Sequence, residues 1–270
     1  MLKYRLIPCL ILKDDLIVQS IQFKRYLPIG KAEVAIEFFV NWDVDEIVLL
    51  DINASRKGRK PRLDLIALYA EECFVPFTVG GGISTLSDIR NVIRAGADKV
   101  SINTEAVRSP HFITEGAKTF GCQCITVSID AKKNSSGDYE VFVNSGKEST
   151  GLHPAEWAQK VQSLGAGEIL LTSIDRDGTK QGYDLDLIHM VTDAVTIPVV
   201  ACGGVGTMDH FIQGIVDGGA QAVAAANIFQ YTEHSTIIAK SALKKAGIPV
   251  RLSSQVKYEG FNIDEKGRLI

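Results

Sequence analysis
Short runs of apolar and β-branched residues recur roughly every 20–40 positions along the chain, each followed by a polar loop and a helix-like stretch. The runs fall at 7–12, 46–50, 74–79, 99–102, 125–129, 168–172, 198–201 and 222–226. Near-continuous apolarity marks strands buried on both faces, as in a parallel sheet covered by helices. Helix signals lie between them. Ser84-Thr85-Leu86-Ser87-Asp88 offers an N-cap, Leu86, Ile89 and Ile93 are spaced for one buried face, and Ala95-Gly96 supplies a stop. Positions 184–193 and 207–216 read the same way. Eight strand–helix units predict an α/β fold, a single closed (β/α)8 TIM barrel rather than an open sheet.

The pattern also repeats at half the chain length. Asp45-Glu46-Ile47-Val48-Leu49-Leu50-Asp51 is echoed 122 positions later by Gly167-Glu168-Ile169-Leu170-Leu171-Thr172-Ser173. Val79-Gly80-Gly81-Gly82-Ile83 is echoed at the same offset by Ala201-Cys202-Gly203-Gly204-Val205, and 97–104 pairs with 220–227 at an offset of 123. Two half-barrels of four strands account for this, and their symmetry predicts two related binding sites on one face.

Composition narrows the classes. A chain of 270 residues with 46% hydrophobic content fits one such barrel, and no linker marks a second. A net charge of -3 implies no general affinity for nucleic acid or anionic membrane. The five cysteines are odd in number, with Cys9, Cys124 and Cys202 inside apolar runs, so a reducing cytoplasm is expected rather than a disulfide framework. Cys122-Gln123-Cys124 has the wrong spacing for a zinc site, and no metal is expected. No run of 18 apolar residues occurs, so the protein is expected to be soluble, without a membrane span. The five histidines fall in helix-like segments, away from strand ends.

Candidate chemistry gathers where the strands end. The fifth run delivers Asp130 to the mouth of the barrel, where a strand-end carboxylate reads as catalytic. Gly80-Gly81-Gly82 and Gly203-Gly204 follow the third and seventh runs, and glycine there lets backbone N–H groups approach an anion. Asn103-Thr104 and Ala226-Asn227 would each open a short helix favouring phosphate, with Asp177-Gly178 beside the second site. The alternative is that the glycines only make tight turns; two symmetric copies favour a ligand with a phosphate at each end. Between 133 and 146, Asn134-Ser135-Ser136-Gly137-Asp138 reads as the turn of a small hairpin over the site.

Several of these stretches carry a family resemblance. Ile7-Pro8-Cys9-Leu10, 77–83, 96–104, 128–132 and 165–178 (GAGEILLTSIDRDG) resemble the cyclase subunit of imidazole glycerol phosphate synthase, the barrel half of a glutamine amidotransferase in histidine biosynthesis. The resemblance covers residues 1 to about 252, leaving 253–270 as an extension of unassigned role, with 261–263 and 268–270 placed to form a hairpin. It implies no cofactor and a heterodimer with a glutaminase subunit that docks at the N-terminal ends of the strands. Ammonia would cross the barrel to a bis-phosphorylated substrate at the other end. Arg5, Glu46, Lys99 and Glu168 match the charged gate of that passage; Asp98 and Gln123 match positions near the glutaminase. Gly82, Asn103 and Thr104 match one phosphate site. Asp177, Gly178, Gly204 and Ala226 match the other, with Asn227 in place of the family's serine.

One departure decides between readings. The family's cyclisation uses two aspartates, because a proton donor and an acceptor are needed on opposite sides of the substrate. Asp130 is one; the other position holds Ile11, and the internal repeat gives the same alignment, overlaying 7–11 on 126–130. Asp14 and Asp15 lie too far along the chain to replace it, and Gln19 stands where the family has a lysine on its mobile first loop. Losing one acid–base group costs about 10²–10⁴-fold. The favoured expectation is therefore a conduit, like paralogues associated with surface-polysaccharide sugar amidation, passing ammonia to a separate sugar amidotransferase. The alternatives are an authentic cyclase, a lyase of histidine biosynthesis; an aminoaldose phosphate isomerase; and a purely structural activator of the glutaminase.

Overall fold
The computed structural model describes residues 3–230 and 234–260. Eight parallel strands close on themselves in the order β1 (Arg5–Lys13), β4 (Ile47–Asp51), β5 (Phe77–Gly80), β6 (Lys99–Ile102), β7 (Ile125–Lys133), β10 (Glu168–Ser173), β11 (Val199–Cys202) and β12 (Ala222–Ala225), which pairs back onto β1. Helices alternate with the strands, and the (β/α)8 barrel expected from the apolar runs is the fold. Most boundaries shifted by one to four residues, and two differences change the reading. The run at 74–79 becomes a strand only from Phe77, since Phe74 is 80% exposed in the preceding loop, and Cys124 lies in a short turn before β7.

The hydrophobic pattern sorts each strand into two faces. On β1, Leu6, Leu10 and Leu12 join the core beneath the helices, while Ile7 and Cys9 belong to a second cluster inside the barrel. That inner cluster also holds Val48, Leu170, Val200, Cys202, Ala222 and Ala224, with Ile11, Leu50 and Ala226 against it. The helix starts follow their caps. Thr85 and Asp88 form a capping box on α3 (Leu86–Arg94), Asp184 caps α7 (Leu185–Thr192) and Thr207 caps α8 (Met208–Val216).

The half-barrel repeat has a further expression. The first strand of each half runs past the barrel rim into an antiparallel extension. β1 pairs with β2 (Leu16–Ile21), which pairs with β3 (Arg25–Gly30); β7 pairs with β8 (Tyr139–Val143), which pairs with β9 (Glu148–Ser149). The hairpin expected between 133 and 146 is the second of these, and the first is additional.

At the opposite end, the chain after α9 (Ser235–Lys245) returns to the barrel floor. Lys240, fully buried, bridges Asp43 (3.1 Å) and Asp45 (2.8 Å). Arg251 reaches the same two carboxylates at 2.9 and 3.0 Å, and the Tyr258 hydroxyl donates to Asp43. Asp45 also accepts from the amide of Leu6 at 2.8 Å, which ties this clamp to the first strand. The hairpin expected at 261–263 and 268–270 lies outside the described residues.

Candidate functional site
Beneath the two rim hairpins lies a cavity of about 110 Å³ at the C-terminal ends of the strands. Each hairpin reaches across to the other half. Ser20 of β2 donates to the Asp177 carboxylate at 2.6 Å, the Phe23 amide donates to the same oxygen at 3.3 Å, and the Asn227 side-chain amide donates to the Ser20 carbonyl at 2.8 Å. From the other side, the Asn144 amide donates to the Thr104 hydroxyl at 3.1 Å and Ser145 donates to the Ile52 carbonyl at 2.7 Å. Phe23 packs against Gly146, so the two turns meet over the opening.

The glycine turns lie at the rim. Gly82 and Gly204 both hold positive φ, and a Cβ at either would fall within 2.3 Å of a carbonyl oxygen, of Arg59 and Gly182 respectively, so no other residue fits. Gly82, Asn103, Thr104, Asp177 and Ala226 all line the cavity, and Asn227 lies at its edge under Ser20. Gly178, packed against Ser20 and Ile21, and Gly204 stand outside the lining, so the predicted rim residues are brought together only in part. Asp177 and Asn227 spend their side chains on the hairpin, whereas the first-half turn contributes the Asn103 amide to the Ser128 carbonyl (3.0 Å) and to Asp130 (3.3 Å).

Asp130 ends the inward face of β7, two positions beyond Ser128, which donates to it at 3.3 Å. Burial pushes its carboxyl up to about 7, and the nearby Asp177 charge adds to this, against hydrogen bonds from Ser128 and Thr172. Asp177 is likewise raised by burial, against its bonds from Ser20 and the Phe23 amide. Ile11 lines the cavity from β1. Asp14 and Asp15 turn away from it. Asp14 binds Lys57 and Asn53, and Asp15 binds Arg62, all on the loop after β4. No second carboxylate replaces the one missing at Ile11 on this strand, and Gln19 sits within the hairpin opposite Leu27.

At the other end, four charges close into a ring. Arg5 bonds Glu46 at 2.8 Å and also Glu168, while Lys99 bonds Glu46 at 2.9 Å and Glu168 at 3.1 Å. Each cation thus bridges both carboxylates, with Thr78 donating to Glu46 at 2.6 Å and Thr126 to Glu168. Burial pushes the Glu168 carboxyl up, but Arg5 and Lys99 outweigh it and hold it below its ordinary value. Between ring and cavity lies the apolar inner cluster. Asp98, whose carboxylate accepts from the Phe77 amide at 2.8 Å, and the exposed Gln123 are on the ring's side of the barrel.

Comparison with known proteins shows the family. The family described as histidine biosynthesis protein matches residues 5–236. A curated protein of Vibrio vulnificus (strain YJ016), provisionally named imidazole glycerol phosphate synthase subunit hisF2, is 54% identical over 268 residues, covering 99% of this chain and 98% of its own. The chain belongs to the imidazole glycerol phosphate synthase cyclase-subunit family. Within this family, sequence reasoning located the ring and the rim but missed the Lys240–Asp43–Asp45–Arg251–Tyr258 clamp. Its only local signal was the Asp43-Val44-Asp45-Glu46 run of acids before β4. It also missed the β2–β3 hairpin, whose partners Asp177 and Asn227 lie more than 150 positions away.

Proposed function
We propose that this chain is the ammonia-carrying barrel of a glutamine amidotransferase complex, working with a glutaminase subunit as a heterodimer and serving the amidation of a surface-polysaccharide sugar. The observation that carries the reading is the pairing of a complete charged ring with an incomplete acid–base set, Asp130 facing Ile11. The apolar layer between them supports it. An uncharged ammonia molecule can pass side chains such as Ile7, Val48 and Leu170, whereas a charged species is strongly disfavoured there. Asp98 and Gln123 would lie at the glutaminase interface, around the ring. A separate sugar amidotransferase would receive the ammonia at the cavity end, and one rim turn with Gly82, Asn103 and Thr104 remains suited to a phosphorylated small molecule.

The second reading is an authentic cyclase of histidine biosynthesis, favoured by the retained Asp130 and by the paired glycine turns. A cyclase assay with ammonia and the histidine-pathway substrate separates the two. The conduit reading expects no turnover, with partial recovery in Ile11→Asp; turnover at ordinary family rates would overturn it. In the glutaminase complex, Lys99→Ala should uncouple ammonia delivery while leaving glutaminase activation largely intact. Loss of both together would favour a structural activator.

A further inference from the structure
The inward side chains of the barrel stack in layers, and the strand registers fix which of them share one. Followed from strand to strand, the Cα partners run once round the barrel and return to β7 eight positions earlier, so a level layer climbs one residue per strand. Val200 lies opposite Ala222, which places Cys202 opposite Ala224, and Ala224 lies opposite Ile7. Climbing two residues over those two strands brings Cys9 level with Cys202. The same rule adds Gly80 and Ser128 to this layer. Both thiols are buried, free and part of the cavity lining, and they are in hydrogen-bond contact with one another. On β12, which separates β1 from β11, the inward side chains at this height are only Ala224 and Ala226.

Geometry limits what such a pair can do. Neighbouring strands lie about 4.8 Å apart, so the Cα atoms of Cys9 and Cys202, two strands apart, are separated by roughly 9 Å, beyond the ~6.8 Å that a disulfide spans. Zinc calls for four ligands, and among the described residues no three cysteine, histidine or carboxylate side chains gather closely enough to share an ion. A cation satisfied by two sulfurs in line is what fits. Thiolates select soft ions, copper(I) foremost. The surroundings favour positive charge as well. Asp51, Glu105, Asp130 and Asp177 line the cavity, and among the described residues no lysine, arginine or histidine does. Only Asp51 is answered by cations, Arg59 and Arg62, which stand outside the lining.

We propose that Cys9 and Cys202 form a two-coordinate site for a soft monovalent d10 cation, copper(I) or its analogue silver(I), entered from the mouth of the barrel. Each thiol gives its proton to water as its sulfur–metal bond forms, so two protons leave for each cation bound and no electron is transferred. Contact with Cys202, together with burial, holds the Cys9 thiol well above its ordinary range, so the metal has to displace the proton rather than find a thiolate waiting. Ser128, in the same layer, and Thr172, opposite Cys202, set hydroxyls beside the sulfurs. The spacing that argues against a metal at Cys122 and Cys124 is a local rule, whereas Cys9 and Cys202 meet only because the barrel closes. The site stands whether or not the barrel carries ammonia.

The test is transfer of copper(I) from its bicinchoninate complex under argon, followed by the chelator's absorbance. The recipient is the full chain carrying Cys73→Ser, Cys122→Ser and Cys124→Ser, which removes the other thiols. Transfer of one copper per chain is expected. In that background Cys9→Ser and Cys202→Ser should each weaken binding by at least about a hundredfold, and the double variant no further, because one thiolate alone does not hold the ion. Cys9→Ala and Cys202→Ala, read the same way, stand in for any serine variant whose urea midpoint collapses. Zinc should not compete. No transfer, affinity kept within about threefold in either single variant, or displacement of copper by equal zinc overturns the proposal.

Discussion

An acid buried at the end of β7 without a cation beside it is a group whose charge opposes the fold. Below its ordinary range near 3.8, Asp130 is neutral in both the folded and unfolded chain. Between about 4 and 7 the unfolded chain sheds the proton while the folded chain keeps it, so stability falls as pH rises across that window. Above 7 the full cost is present, roughly 4 kcal/mol for a carboxyl raised from 3.8 to about 7. Asp130→Asn should therefore be as stable as the parent near pH 4 and more stable by up to that amount at pH 8, measured by urea unfolding at each pH. A variant equally stable, or less stable, at both ends would remove burial as the cause.

Among the elements, the β2–β3 hairpin depends most on contacts made far along the chain. Its turn places Gln22 and Phe23 at positive φ, a conformation unfavourable for both residue types. The Gln22 amide donates to the Asp177 carbonyl at 3.0 Å and the Phe23 amide to the Asp177 carboxylate, and these bonds hold the turn. Asn227→Ala removes the amide that grips Ser20 and should speed hydrogen exchange across 16–30 severalfold while costing only about 1 kcal/mol of global stability. Unchanged exchange in that segment would show that the latch lies elsewhere. The difference in legibility has the same origin. The β7–β8 turn announces itself through Asn134 and Gly137, residues suited to tight turns, whereas the β2–β3 turn has neither and is set by Asp177. The barrel strands were readable because burial on both faces leaves continuous apolar runs. The same rule misplaced Phe74, whose side chain is apolar yet exposed.

For the whole molecule, the ion pairs with the most deeply buried carboxylates, Glu46, Glu168, Asp43 and Asp45, lie at the floor of the barrel. Glu46 is buried between Arg5 and Lys99, and Glu46→Gln would leave both cations sharing Glu168. Removing one partner of such a buried set should cost about 3–5 kcal/mol, seen as a lowered denaturation midpoint with unchanged slope. A loss under about 0.5 kcal/mol would mean that the ring is solvated like a surface pair. The Ile11 position was legible because the half-barrel repeat gave it an internal comparison, Asp130. The Lys240 clamp was not, because its charges come from 43–45, 240, 251 and 258 and no local pattern joins them.

That clamp bears on how the chain is made. Asp43 and Asp45 stand just before β4, while Lys240, Arg251 and Tyr258 follow them by about 200 positions and leave the ribosome correspondingly later. Until they arrive, two acids beside the ring have no cation from the C-terminal segment to answer them. The floor of the barrel, where a glutaminase would dock, is thus completed only after residue 258 has emerged, and a partner reading that face would pass over shorter nascent chains.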